Sequence, residues 1–308
     1  MSMRLRSGTV ADVETFTRLI NAQHQWLRGE DLWQTDELAA LLVSPTSDPV
    51  RYDRYLEVDG VAVAAIHTHT SPPFDKGTLY LACPPQPRRA HHARYLLEAG
   101  LRLLRSRPQL HDASTINIDI PSEDTELIEL VRSAGFARAN QVAIMEGLTS
   151  DIEPPSHPEG VTLEEFGKSA DLRLGYAVIR AAFADHPVWW HIDEADFLYM
   201  MRKDPTALAG LSMVLRRHDE AVGIAVNFQD TTRRATGLVG LLAVMPHAQG
   251  LGLGRLLLLE SFSRFRNRGW GHARLATIYG YHAGEPSVYQ SVGMKSVYFN
   301  DTYLRSLN

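Results

Sequence analysis

Val244-Met245-Pro246-His247-Ala248-Gln249-Gly250-Leu251-Gly252-Leu253-Gly254-Arg255 is the stretch on which the fold turns. Before it, Leu238 to Met245 is an unbroken apolar, β-branched run of strand length, and Pro246 ends it because proline has no donor for a ladder. After it, Gly254 to Arg268 is rich in strong helix formers and stops at Gly269. The glycines therefore lie on a strand-to-helix turn. The first helical turn has unpaired N–H groups and partial positive charge, so a phosphate placed there gains hydrogen bonds and the helix dipole. Without Cβ atoms at Gly250, Gly252 and Gly254, successive amides can converge on one anion. Two other phosphate motifs fit poorly. A dinucleotide fingerprint needs two residues between its last glycines and a later acidic residue, whereas one residue separates Gly252 from Gly254 and none from Gly271 to Thr277 is acidic. A P-loop needs Gly-Lys and a hydroxyl, and the chain reads Gly254-Arg255-Leu256. A tight connection with no ligand is the remaining alternative.

The run resembles the acyl-CoA motif of the GNAT superfamily of N-acetyltransferases. Gln249, Gly252 and Gly254 match its Gln/Arg-x-x-Gly-x-Gly/Ala pattern. The resemblance implies acetyl-CoA as co-substrate, with amides from Gln249, Gly250, Leu251, Gly252, Leu253, Gly254 and Arg255 cradling the pyrophosphate. It also implies that the strand ending at Val244 pairs with the pantetheine. Further on, Val288-Tyr289-Gln290-Ser291-Val292-Gly293-Met294 is similar to the family's Leu-Tyr-x-x-x-Gly-Phe ending. Tyr289 is thereby the candidate general acid: a phenol is protonated at neutral pH and can give a proton to the departing thiolate. An interior tyrosine with one structural hydrogen bond is the alternative.

The sequence departs from the family at His282, where many members carry asparagine, and at Glu285-Pro286. His282 is a candidate for shaping the substrate end or accepting a proton; a structural histidine is the competing reading. Trp189 and Trp190, within Asp185 to His191, lie where family members build the acceptor pocket, although a tryptophan pair is equally at home in a core. Gly237 to Met245 holds no carboxylate or imidazole, so no general base is evident, and no metal is required.

The same order of elements appears twice. Val10-Ala11-Asp12-Val13 matches Ser169-Ala170-Asp171-Leu172, and Ser133-Ala134-Gly135-Phe136 matches Ser291-Val292-Gly293-Met294 at nearly the same spacing. The fold class expected is α/β, with a mixed sheet in each of two tandem GNAT-like acyl-CoA N-acyltransferase domains. These are residues 1–149 and 161–308, with a proline-bearing linker at 150–160. In the first copy, Val131 stands at the position of Tyr289, and Pro84 to Ala93 replaces the glycine turn without a single glycine. This half reads as degenerate, its Arg88, Arg89, His91 and His92 open to two readings, an anion held by side chains or a solvated basic turn.

At 308 residues two cores are expected. Hydrophobic residues make up 44% and charged residues 22%, the balance of an ordinary globular protein. A net charge of -5 gives no general attraction to nucleic acid or anionic membranes. The single Cys83, the polar start and the lack of a 20-residue apolar run point to a cytoplasmic protein. Expected partners are a small-molecule or peptide amine, with neither nucleic acid nor membrane. Two functions fit: an acetyl-CoA-dependent N-acetyltransferase, in which the amine attacks the thioester directly, and a non-catalytic CoA-binding or regulatory protein.

Overall fold

A computed structural model describes residues 2–35, 38–39, 49–70, 76–110, 114–153, 155–165, 172–184, 194–204, 206–278 and 285–307. The strands are β1 (Met3–Ser7), β2 (Arg54–Val58), β3 (Val61–Thr70), β4 (Lys76–Ala82), β5 (Thr115–Pro121) and β6 (Ala137–Leu148), then β7 (Val161–Glu165), β8 (Met213–Arg217), β9 (Glu220–Gln229), β10 (Thr236–Val244), β11 (His272–Ile278) and β12 (Lys295–Ser306). The helices are α1 (Val13–Arg28), α2 (Pro49–Tyr52), α3 (Arg89–Arg105), α4 (Thr125–Ser133), α5 (Leu172–Ala182), α6 (Glu194–Lys203), α7 (Leu253–Asn267) and α8 (Glu285–Gln290).

The chain forms two compact units, Met1–Gln141 with Phe299–Asn308, and Val142–Tyr298. In the first, the sheet order is β1-β2-β3-β4-β5-β12. One face packs Ile66, Leu79, Ile116 and Ile118 against Leu96, Leu97 and Leu104 of α3. On the other face, Phe16, Leu19 and Ile20 of α1 cover Tyr55, Ala65 and Ala82. Both stripes follow from the two-residue strand period meeting a 3.6-residue helical one. Helix α1 closes at Gly29, whose φ of 72° lets its N–H reach the Gln25 carbonyl.

In the second unit the order is β6-β11-β10-β9-β8-β7. Val178, Ile179 and Phe197 of α5 and α6 cover Val214, Ile224, Val226 and Ala243 on one face. On the other, Leu253, Leu256 and Leu257 of α7 lie on Leu215, Val222 and Ala225.

The repeat extends to single hydrogen bonds. After α4, the Phe136 N–H reaches the Val131 carbonyl at 3.1 Å and Gly135 has φ 86°; after α8, the Met294 N–H reaches the Tyr289 carbonyl at 3.1 Å and Gly293 has φ 81°. The two units thus repeat the same turn at the same point of their folds.

The units are divided differently from the expected 1–149 and 161–308. Val142 to Leu148 of β6 pairs with β11, and Asn300 to Ser306 of β12 pairs with β5. Each sheet is thus completed by a strand from the other half of the sequence. Backbone pairing to a distant partner fixes this assignment, and no local composition change marks it.

Candidate functional site

The site begins where two strands separate. β10 and β11 pair in parallel only from Thr236–His272 to Leu238–Arg274, while β10 stays paired with β9 as far as Val244–Gly223. The β9–β10 register shifts between Val239 and Leu241, a bulge centred on Gly240. A Cβ at Gly240 would lie 2.4 Å from the Phe228 ring, so only glycine lets the strand come this close. Past Leu238, β10 presents an edge that β11 does not fill. Such an edge takes an extended ligand as an added strand.

The turn follows at the end of that edge. Pro246–Ala248 forms a short 3₁₀ turn, with the Ala248 N–H on the Met245 carbonyl at 2.9 Å. The Gln249 N–H donates to the Pro246 carbonyl at 3.3 Å, and its side-chain amide donates to the Val244 carbonyl at 3.1 Å. Gln249 therefore braces the turn, and the unpaired amides start at Gly250. Gly250 and Gly252 both have φ +76°, a conformation costly for any residue with a Cβ, and open space lies where a Cβ would stand. Gly252 caps α7, and the first helical bond runs from the Leu256 N–H to its carbonyl at 3.0 Å. Among the described residues, the amides of Gly250 to Arg255 donate to no backbone carbonyl. Leu253 and Leu256 are buried and anchor the turn; Leu251 and Arg255 face solvent. A row of free amides at the N-terminus of a 15-residue helix, beside an open strand edge, suits an anion joined to an extended arm.

Residues 175–294 match the family model described as Acetyltransferase (GNAT) family. The chain carries a GNAT acetyltransferase domain. Within this GNAT domain lie the split between β10 and β11, the glycine turn and Tyr289. The mycothiol acetyltransferase of Pseudarthrobacter chlorophenolicus is 30% identical over 146 residues, covering 46% of this chain and 45% of that protein. The chain thus spans less than half the length of this relative. The mycothiol acetyltransferase of Paenarthrobacter aurescens is 27% identical over 274 residues, 87% of this chain and 80% of that protein. Among solved structures, a GCN5-related N-acetyltransferase from Sphaerobacter thermophilus shares the fold with a TM-score of 0.81 at 21% identity, covering 99% of this chain and 96% of that one.

Tyr289 lies on α8 of the GNAT domain, half-buried, with its carbonyl accepting from Val292 and Met294. Trp189, Trp190 and His282 lie outside the described residues. Val244 ends β10, with its carbonyl held by Gln249. Among the described residues no three His, Cys, Asp or Glu side chains group as metal ligands, and no described helix is long and apolar enough to cross a membrane.

A charged network absent from the sequence expectations occupies the point where β10 and β11 part. Arg274, nearly buried, donates to Asp230 at 3.2 Å and to the Tyr298 hydroxyl at 2.9 Å, and lies 3.6 Å from Glu146. Glu146 also pairs with Arg233 and, at 3.0 Å, with His272. These charges compensate one another and hold the fork between the strands rigid. The available signal was Arg274 between the apolar Ala273 and Leu275, a charge where a central strand should be apolar.

The N-terminal unit has the same fork, filled differently. β4 and β5 pair from Lys76–Thr115 to Leu79–Ile118 and then separate. Helix α3 is capped by Arg88 at φ 64°, the counterpart of Gly252. The reading of a solvated turn is corrected here: Arg88 and His91 face solvent, but Arg89 and His92 are buried. The Arg89 guanidinium donates to the Cys83 carbonyl at 2.7 Å and to Asp124 and Glu126, each at 2.8 Å. The Cys83 N–H is taken by Gln23 at 2.8 Å. Side chains of this unit thus satisfy the backbone at the end of β4. Val131, opposite Tyr289 in the repeat, is fully buried.

Proposed function

We propose that the chain is an acetyl-CoA-dependent N-acetyltransferase that moves an acetyl group to the primary amine of a small molecule or peptide. The observation carrying this reading is the row of unpaired amides from Gly250 to Arg255 at the start of α7, next to the open edge of β10. The amides bind the pyrophosphate of the coenzyme, and the β10 edge receives the pantetheine. A β10 amide polarises the thioester carbonyl, and holding amine and thioester together supplies proximity. The neutral amine attacks the carbonyl carbon; as the tetrahedral intermediate collapses, Tyr289 protonates the leaving thiolate, and the proton shed by the amine nitrogen passes through water to restore the Tyr289 phenol.

The relatives' name, mycothiol acetyltransferase, favours a small-molecule acceptor. The test is a mass-spectrometric assay for acetyl-CoA-dependent mass gain across amines, aminoglycosides, amino acids, peptides and the des-acetyl form of mycothiol. Transfer to one of them supports the reading; CoA binding without transfer to any favours the non-catalytic alternative.

A further inference from the structure

Phe228 on β9 stands directly opposite Leu238, the last β10 residue that β11 still pairs. Its backbone is pinned on both sides. Beyond the pairing of β9 with β8, the Leu208 N–H reaches the Asn227 carbonyl and the Gln229 N–H reaches the Thr206 carbonyl, each at 2.8 Å. Ala207, between those two contacts, forms an isolated bridge with Phe228. The bulge then brings Gly240 under the Phe228 ring, two of whose carbons lie 2.4 and 2.5 Å from where a Cβ would stand. Phe228 and Leu241, both half-buried, sit at the margin of the core beneath α5 and α6. Gly240 is exposed and Leu238 half-buried, although β10 is a central strand.

The open edge of β10 has two ends. It begins at Val244 beside the glycine turn and stops at Leu238, where β11 takes the edge. At about 3.3 Å per residue, Val244 to Gly240 spans about 13 Å, a length suited to an extended pantetheine arm. An arm laid along this edge from the turn therefore carries its thioester to the bulge, with the β10–β11 pairing as its stop. Neither face of the sheet leaves depth there for a long acyl chain. On the α7 side Val239 is buried, and a Cβ at Gly237 would lie 2.4 Å from the Phe265 ring. On the α5 side the Phe228 ring covers Gly240.

We infer that Phe228 sets the length of the acyl group, admitting acetyl and excluding butyryl and longer chains. The inference rests on the CoA reading of the glycine turn. A methyl group rests against the edge of the ring. Each further methylene must displace a ring whose backbone is held from both sides, and overpacking of that kind is costly. The wall is aromatic and carries no charge, so it selects by size.

The test is calorimetric titration of CoA, acetyl-CoA and butyryl-CoA into the full chain, Phe228→Ala and Phe228→Leu. In wild type, butyryl-CoA should bind about tenfold or more weakly than acetyl-CoA, the discrimination expected where extra methylenes meet a fitted apolar wall. Phe228→Ala should bring the two thioesters close to parity, and Phe228→Leu, which keeps the neighbouring core filled, should fall between. Melting curves identify the folded variants, and Phe228→Leu carries the comparison if the alanine variant does not fold. No binding of CoA itself to wild type would overturn the coenzyme reading underneath. CoA bound, but with acetyl-CoA and butyryl-CoA equal in wild type or their ratio unchanged in the folded variants, would overturn the role of Phe228 and leave that reading standing.

Discussion

The Gln249 side-chain amide donates to the Val244 carbonyl at 3.1 Å, joining the end of β10 to the turn that opens α7. One hydrogen bond thus fixes where the free amides of Gly250 to Arg255 begin relative to the open strand edge. Gln249→Ala removes that tie without touching the amides. A neutral hydrogen bond contributes about 1 kcal/mol, so acetyl-CoA affinity should fall about fivefold by calorimetry, with little change in melting temperature. Unchanged affinity would show that the turn holds its shape unaided.

Gly240 tests the bulge that precedes the fork. Its missing Cβ would stand 2.4 Å from the Phe228 ring, so Gly240→Ala should cost about 1–3 kcal/mol in chemical denaturation. Shrinking the neighbour in Gly240→Ala/Phe228→Leu should recover part of that loss. No recovery would place the strain elsewhere.

Tyr289→Phe keeps the ring and removes the proton. Acetyl-CoA binding should persist, and turnover on whichever amine is accepted should drop roughly a hundredfold or more. Equal turnover in the variant would remove Tyr289 as the acid.

Strand exchange predicts that the last residues stabilise the first unit. Tyr303 on β12 is fully buried in the core of β5, α3 and α4, and its hydroxyl has no partner. Tyr303→Ala should destabilise by about 3 kcal/mol or more, while Tyr303→Phe should cost nothing because the removed hydroxyl was unsatisfied. A larger loss in Tyr303→Phe than in Tyr303→Ala would contradict the packing.

Acid should weaken the N-terminal unit. Burial, aided by Arg28, lowers the His24 pKa to about 4, and His69 is lowered similarly. Below the ordinary value near 6.5 the unfolded chain binds these protons and the folded one does not. Their contribution is complete above that pH and is lost as pH falls toward 4. Denaturation midpoints across that window should fall less steeply in His24→Leu than in wild type.

The glycine turn was legible in the sequence because its causes are local: Pro246 ends a strand, and positive φ at Gly250 and Gly252 demands glycine. The tandem repeat was legible for the same reason, since Gly135 and Gly293 recur in matching turns. The strand exchange was not, because β12 finds β5 nearly two hundred residues away and neither stretch names the other. Nor did the sequence reveal that Arg89 is buried, which depends on Asp124 and Glu126 arriving from a later helix. The Arg274–Glu146 network likewise joins residues brought together only by the pairing of β6 with β11.

Calorimetric titration of acetyl-CoA into the full chain and into Gly252→Val tests the central claim most directly. A side chain at φ +76° strains the turn by about 1–2 kcal/mol and intrudes on the ligand's space. One acetyl-CoA per wild-type chain, with binding lost or severely weakened in a folded Gly252→Val, is the predicted result. No heat from wild type, two molecules per chain, or equal affinity in the variant would contradict it.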